Sequence, residues 1–410
     1  MKLANELHQS GFQVVLIDKN NHHQFPPLIY QVASSGLEPS SISFPFRKLF
    51  NRHQDIHFRM AEAKQICPDR KILQTSIGNI DYDYLVLAAG TTSNFFGNKQ
   101  IEAAEAMGLR NTLLSNLERS VTCDTTQERR ELLNVVIVGG GATGVEIAGA
   151  IAEMKRYILP KDYPEIDHSD LHIFLIEAGN RLLSGMSVKS SRKAEEFLRR
   201  MGVNIYLNKR VTDFVAHKVI LEDGMEIPTQ TFIWVSGVRA NEIGNLSSEA
   251  IGHGGRILVD ANNQIKGMNH VFCIGDQCLM TSDKNYPKGH PQLAQVAIQQ
   301  GKLLAKNLKR LEKGKVMQPF HYKNLGTMAT IGRNKAVAEF KTIKTQGWFA
   351  WILWLVVHLR SILGVRNKIN VLLNWIWSYL TYDQSLRLII YAQKPPKMRE
   401  KENQENNIQH

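Results

Sequence analysis

Cysteine is scarce in this 410-residue chain, and so are long uninterrupted hydrophobic runs. The four cysteines Cys67, Cys123, Cys273 and Cys278 are irregularly spaced, which argues against a disulfide framework and for a reduced interior. The first residues, Met1 to Leu7, lack the apolar core of a signal peptide, so the chain is expected to be cytoplasmic. The apolar stretch from Trp348 to Val357 holds ten residues, against the ~20 that a membrane-spanning helix needs, and a transmembrane helix is therefore not expected. No group of His, Cys, Asp or Glu has metal-ligand spacing. What is present is 43% hydrophobic residues, enough for two or three domains with substantial cores. The formal charge of +12 points to an anionic partner, either phosphates, a lipid surface or nucleic acid.

Short apolar runs at Phe12–Ile17, Tyr84–Ala88, Val135–Val138, Leu171–Ile176, Val203–Leu207 and Phe232–Val235 alternate with helical stretches. That alternation predicts an α/β fold of parallel βαβ units. Residues 10–18 and 169–177 look like copies of one another, each a strand closing on one acid, Asp18 or Glu177. In a dinucleotide-binding fold such a carboxylate accepts hydrogen bonds from the adenosine ribose, so two copies imply two dinucleotides. The plain alternative is that any strand can end in an acid.

The run Leu133–Val138 leads straight into Gly139-Gly140-Gly141-Ala142-Thr143-Gly144 and then into an apolar helix. Gly139 permits the tight turn, Gly141 lets backbone approach a pyrophosphate, and Gly144 lets helix and strand pack closely. Exposed N–H groups and the helix dipole then meet the diphosphate charge. Glu177 favours NADH over NADPH, because a carboxylate would repel a 2′-phosphate. The first copy carries no such turn. Matching Leu3-Ala4 to Ile147-Ala148 sets the offset at 144, which puts the partner of Gly144 just before Met1. The sequence is thus expected to be truncated, or to start at an internal methionine, with a central strand of ~5–6 residues upstream. An in-frame stop directly before Met1 would overturn that expectation.

Four further segments converge: His23–Ala33, Leu87-Ala88-Ala89-Gly90-Thr91, Val271–Asp276 and Ala294–Gly301 with its Ala-Gln-x-Ala-x-Gln pattern. Together, over residues 1 to 392, they resemble the type II NADH:quinone oxidoreductases. The departure is the absent glycine turn for FAD. The resemblance implies two Rossmann-like domains of the two-dinucleotide flavoprotein type: a split FAD domain at 1–104 and 257–330 and an inserted NADH domain at 105–256. A C-terminal membrane-anchoring region at 331–392 and a polar, disordered tail at 393–410 would follow. It implies that Asp18, Pro27, Leu28, Ala89, Gly90 and Asp276 meet FAD, while Gly139, Gly141, Gly144, Glu177 and Gly237 meet NADH. Gln295 and Gln299 would line the quinone pocket, and Glu146 would relay protons to the reduced quinone.

Residue chemistry is compatible with these roles, and each has a plainer alternative. Gln295 and Gln299 lie four apart on one helix face, and a neutral amide can bond a quinone carbonyl without adding charge to an apolar pocket. Glutamines on a helix otherwise face solvent. Glu146 could simply oppose the helix dipole, Asp276 could cap a helix, and Pro27-Leu28 could plug a core. Cys273 and Cys278 have the spacing of a redox pair, but Ile274-Gly275-Asp276-Gln277 between them serves FAD, which disfavours a disulfide or peroxide reductase.

Tryptophans beside Arg360, Arg366 and Lys368 mark 347–392 as a segment lying in the membrane interface against anionic lipid. The expected function is non-proton-pumping transfer of two electrons from NADH through FAD to a membrane quinone, as a peripheral respiratory-chain protein on the cytoplasmic face of the inner (cell) membrane. Nucleic acid is not needed as a partner, and a homodimer is compatible with this reading. The rival from another class is a catalytically silent nucleotide-binding membrane protein.

Overall fold

The computed structural model describes residues 1–34, 36–98, 109–382 and 389; the tail at 393–410 and the boundary at 104/105 lie outside the described residues. The parallel pairs that place the site are built from β1 (Val14–Asp18), β2 (Ile56–Met60), β3 (Leu85–Leu87), β4 (Val135–Val138), β5 (Ile173–Glu177), β6 (Val203–Leu207), β7 (Thr231–Trp234) and β8 (Val271–Cys273). Three more, β9 (Thr327–Gly332), β10 (Lys335–Glu339) and β11 (Lys344–Gln346), form an antiparallel sheet near the C-terminus. The helices that matter for the site are α1 (Lys2–Leu7), α2 (Ile29–Ala33), α3 (Ala142–Tyr157), α4 (Ala294–Leu311), α5 (Trp348–Ser361) and α6 (Val365–Thr381).

The sheet of the middle segment runs β6-β5-β4-β7, all parallel. Covered on both faces, β4 and β7 are buried at every position, as apolar strands in a parallel sheet should be. The N-terminal half repeats the plan in pieces: β1 pairs with β2 and β3 with β8, as two separate parallel pairs. Where β4 joins β5 to β7, no strand among the described residues joins β1 to β3. The consequence shows in burial. Val15 in β1 is 41% exposed, while its counterpart strand β5 presents no exposed residue.

The C-terminal sheet is locked to the middle segment through α3. A Cβ built on Gly149 would lie 1.8 Å from the Ile331 carbonyl oxygen, so only glycine lets α3 and β9 approach this closely. The boundary expected at 330 therefore falls inside β9, whose residues 327–332 stay with the hairpin they pair in. Helix α5 belongs to the core as well. Trp354 is 1% exposed and packs with α3 and β9 residues in the main apolar cluster, along with Val371 of α6. Truncating a buried Trp of this kind costs ~3–5 kcal/mol.

Candidate functional site

The middle sheet delivers its glycine turn where parallel-sheet logic places a ligand, at the carboxyl end of β4 and the start of α3. Gly139 adopts φ +117°, and a Cβ there would lie 2.7 Å from the Val235 carbonyl oxygen. Gly144 would bring its Cβ within 1.9 Å of the Gly139 oxygen, whereas Gly141 faces nothing within 4 Å. Two glycines thus serve packing and the third leaves open the space a pyrophosphate fills. Glu177 closes β5 beside this turn: one carboxylate oxygen accepts from the Gly140 N–H at 2.5 Å and the other from the Gly179 N–H at 2.6 Å. Each oxygen keeps a lone pair for a ribose hydroxyl. Gly237, at φ +88°, is exposed beyond β7. These residues fit a dinucleotide.

For FAD the fit is good at the two ends. Asp18 sits half-buried at the tip of β1, one carboxylate oxygen accepting from the Asn20 N–H at 2.8 Å. After β8 the chain turns through Gly275–Gln277, and burial raises the Asp276 carboxyl above its ordinary pKa, opposed by Arg256. The helix-cap alternative for Asp276 is not realised, since that turn carries no side-chain cap bond. Ala89 and Gly90 are tied at both sides: the Ala89 N–H donates to buried Gln277, the Asn241 side chain donates to the Ala89 carbonyl at 2.7 Å, and the Asn241 backbone N–H donates to the Gly90 carbonyl. Gln277 and Asn241 were invisible to sequence reading, because their partners are 188 and 152 residues away. Among the described residues no glycine turn lies between the two ends to cradle the diphosphate. Pro27 and Leu28 divide: Leu28 is 0% exposed and packs in the main cluster, which is the core-plug outcome, while Pro27 is half-buried.

Gln295 and Gln299 point to one side of α4, as their spacing requires, and both are half-buried. Their amides are engaged. Gln295 donates to the Gly326 carbonyl at 3.0 Å and accepts from the Leu325 N–H, and Gln299 makes the same double bond with Lys323. They staple the segment that leads into β9, and each retains one N–H for another partner. The third glutamine of the helix, Gln300, accepts from the Gly275 N–H at 2.7 Å and so supports the Asp276 turn.

Glu146 is half-buried where four elements meet: α3 itself, Thr330 of β9, Trp354 of α5 and Tyr30 of α2. It accepts from the Thr330 N–H at 3.3 Å, and the Trp354 indole N–H faces it without reaching hydrogen-bond geometry. Burial raises its pKa to about 8. A carboxyl with a pKa in this range can hold or release a proton near neutrality. Beside it opens a cavity of about 130 Å³, lined in part by Tyr30, Glu153, Arg333, Trp354 and Trp375.

Cys273 and Cys278 are 0% and 2% exposed, on strands either side of the Asp276 turn. A soluble disulfide substrate cannot reach them. Among the described residues no group of His, Cys, Asp and Glu could hold a metal, and no helix is long and apolar enough to cross a membrane.

A family profile described as Pyridine nucleotide-disulphide oxidoreductase matches residues 1–301, and one described as NDH2 C-terminal domain matches residues 324–382. The chain is 32% identical to a type II NADH:quinone oxidoreductase, NdhA, of Mycobacterium tuberculosis, covering 93% of this chain and 85% of that one. A second protein of that organism, Ndh, is 30% identical over 93% and 86% of the two chains. Among solved structures, NDH2 from Plasmodium falciparum in complex with NADH superposes with a TM-score of 0.84 at 19% identity, covering 95% of this chain and 97% of that one.

Proposed function

The chain belongs to the pyridine nucleotide-disulphide oxidoreductases and, within them, to the type II NADH:quinone oxidoreductases, and from that premise we infer that it oxidises NADH and reduces a membrane quinone without pumping protons. The balance is one NADH, one quinone and one proton in, one NAD⁺ and one quinol out. FAD, when bound, supplies the two-electron carrier between the two substrates. The observation that carries this reading is that one helix serves both ends: the first turn of α3 is the glycine turn for NADH, and its flank presents Glu146 to the cavity beneath α5 and α6.

The residues divide the work as follows. Gly139, Gly141 and Gly144 take the NADH diphosphate, Glu177 its ribose, and Gly237 lies along its path. Asp18 would hold the FAD ribose and Asp276 its ribitol chain, with Ala89, Gly90 and Pro27 beside it; Leu28 supports from within the core. Glu146 gives the proton that quinone needs as it gains its electron pair. Gln295 and Gln299 fix the approach to β9 and offer one remaining N–H each to the quinone side. The purified protein should be yellow and yield one quinol per NADH, with no membrane potential in sealed vesicles. A colourless protein that binds NADH and turns nothing over would leave only the catalytically silent reading.

The lipid surface follows from α5 and α6, whose outer faces leave Phe349, Leu373, Trp377 and Leu380 at 72%, 59%, 58% and 72% exposure. A helix apolar on both faces, with Arg360, Arg366 and Lys368 at the turn between the pair, suits a membrane interface with anionic lipid. A dinucleotide carrying phosphate charges does not cross a bilayer, so the NADH site faces the compartment that holds NADH, the cytoplasm in this proposal. Removing 347–392 would strip Trp354 and Val371 from the core, so the anchor is tested by substitutions on the outer face. Replacing Leu373, Trp377 and Leu380 together by serine should release the protein from vesicles containing anionic lipid while its melting temperature holds; retained co-sedimentation would contradict the anchor.

A further inference from the structure

Glu146 is walled by Thr330, Trp354 and Tyr30, all buried, whereas Tyr379 and Tyr382 at the far end of the cavity are exposed, and the proton that Glu146 gives must be replaced on every turnover. Two turns further along α3, about 10 Å away on the helix axis, stands a second carboxyl, Glu153. It also lines the cavity, and it accepts from the Arg333 backbone N–H on the β9–β10 hairpin. The hairpin packs directly on it: a Cβ on Gly332 would come within 2.8 Å of a Glu153 carboxylate oxygen. Tyr30 lines the same cavity, and its hydroxyl accepts from the Gln31 amide at 2.7 Å and so keeps its own proton free to donate. Both carboxyls act on that phenol. At the outer end the Arg333 guanidinium is sandwiched between the Tyr379 and Tyr382 rings, at 3.9 and 3.8 Å, with two of its nitrogens buried and unpartnered.

We propose that Glu153 is the proton inlet of this enzyme, passing protons through cavity water and the Tyr30 hydroxyl to Glu146. The step moves no electrons: each O–H broken on Glu153, water or Tyr30 is matched by one formed on the next oxygen, ending on the Glu146 carboxylate. Burial raises the Glu153 carboxyl above its ordinary pKa, while Lys335 and Arg333 pull it back. The other groups facing it are Tyr30 from α2, Tyr157 from its own helix, and Tyr379 and Tyr382 from the C-terminal end. An acid balanced in this way can exchange protons with water and still deliver them inward. The inference rests on the relay role of Glu146.

Stopped-flow measurement of the two half-reactions tests it on the whole protein. Glu153→Gln should leave flavin reduction by NADH unchanged and slow reoxidation by a short-chain quinone by roughly tenfold or more. Added formate, a diffusible proton carrier, should restore the rate, and Glu153→Asp should retain it. Infrared titration without quinone should lose one protonated-carboxyl band in Glu153→Gln and a different one in Glu146→Gln. Reoxidation at the parent rate at every pH would overturn the inlet, and so would a slow Glu153→Gln that formate does not restore and aspartate does not repair. If Glu146→Gln slows both half-reactions equally, the relay itself falls, whatever Glu153 does.

Discussion

Exchanging Gly144 for alanine should cost the protein its NADH affinity by about ten- to a hundredfold. The added Cβ would sit 1.9 Å from the Gly139 carbonyl oxygen and 3.3 Å from the Val235 side chain. The first of these is backbone and cannot swing aside, so α3 must move off β4. Overpacking of that kind costs ~1–3 kcal/mol, and the glycine turn it distorts is the one the diphosphate needs. Gly141→Ala is the informative companion. Nothing lies within 4 Å of its Cβ, so the fold should keep its melting temperature while the methyl group occupies the pyrophosphate space. Fluorescence titration with NADH should show both variants weakened, with only Gly144→Ala destabilised. Parent-like affinity in both would mean that the diphosphate binds elsewhere.

Glu146→Gln should slow quinone reduction by ~10²–10⁴-fold, the usual weight of a positioned proton donor, and leave flavin reduction by NADH nearly intact. The pH dependence has a definite sign. The folded carboxyl titrates at about 8 rather than 4.5, so it carries its proton below about 8 and the parent rate should fall as pH rises through that value. Stability moves the same way. Between the unfolded and folded pKa values the native state binds the extra proton, so rising pH progressively favours unfolding. The loss has a ceiling of about 5 kcal/mol. Glutamine still accepts from Thr330 but has no charge to bury, so the variant should be less active everywhere and more stable than the parent above pH 8. Melting curves at acid and alkaline pH check this, and a variant less stable at every pH would contradict the burial argument.

The parts legible in the sequence were those whose cause is local. Strands β1, β3, β4, β5, β6 and β7 all fall within the apolar runs that announce them, give or take a residue at the ends. The glycine turn could be read because three positions within six residues carry three separate geometric demands. Glu177 followed because the acid closes its own strand. Patterns of this kind depend on neighbours in the chain, and tertiary packing preserves them.

Side-chain partnership was another matter. Trp354 and Trp377 lie in similar apolar stretches, yet one is 1% and the other 58% exposed, because α5 is held by α3 and β9 while the outer face of α6 meets no protein. Gln295 and Gln299 share a face as expected, but only the return of the chain at Lys323–Gly326 determines that their amides are used as staples. Glu146 and Glu153 read as two acids on an otherwise apolar helix. Their burial, the raised pKa values and the cavity joining them all arise because Gly149 lets β9 close onto α3 from nearly two hundred residues further on. The sequence by itself determined that the protein holds dinucleotides, and where the NADH turn lies, since backbone geometry there is dictated by consecutive residues. Which carboxyls are desolvated was decided only by the tertiary structure, since desolvation depends on what distant segments bring against them.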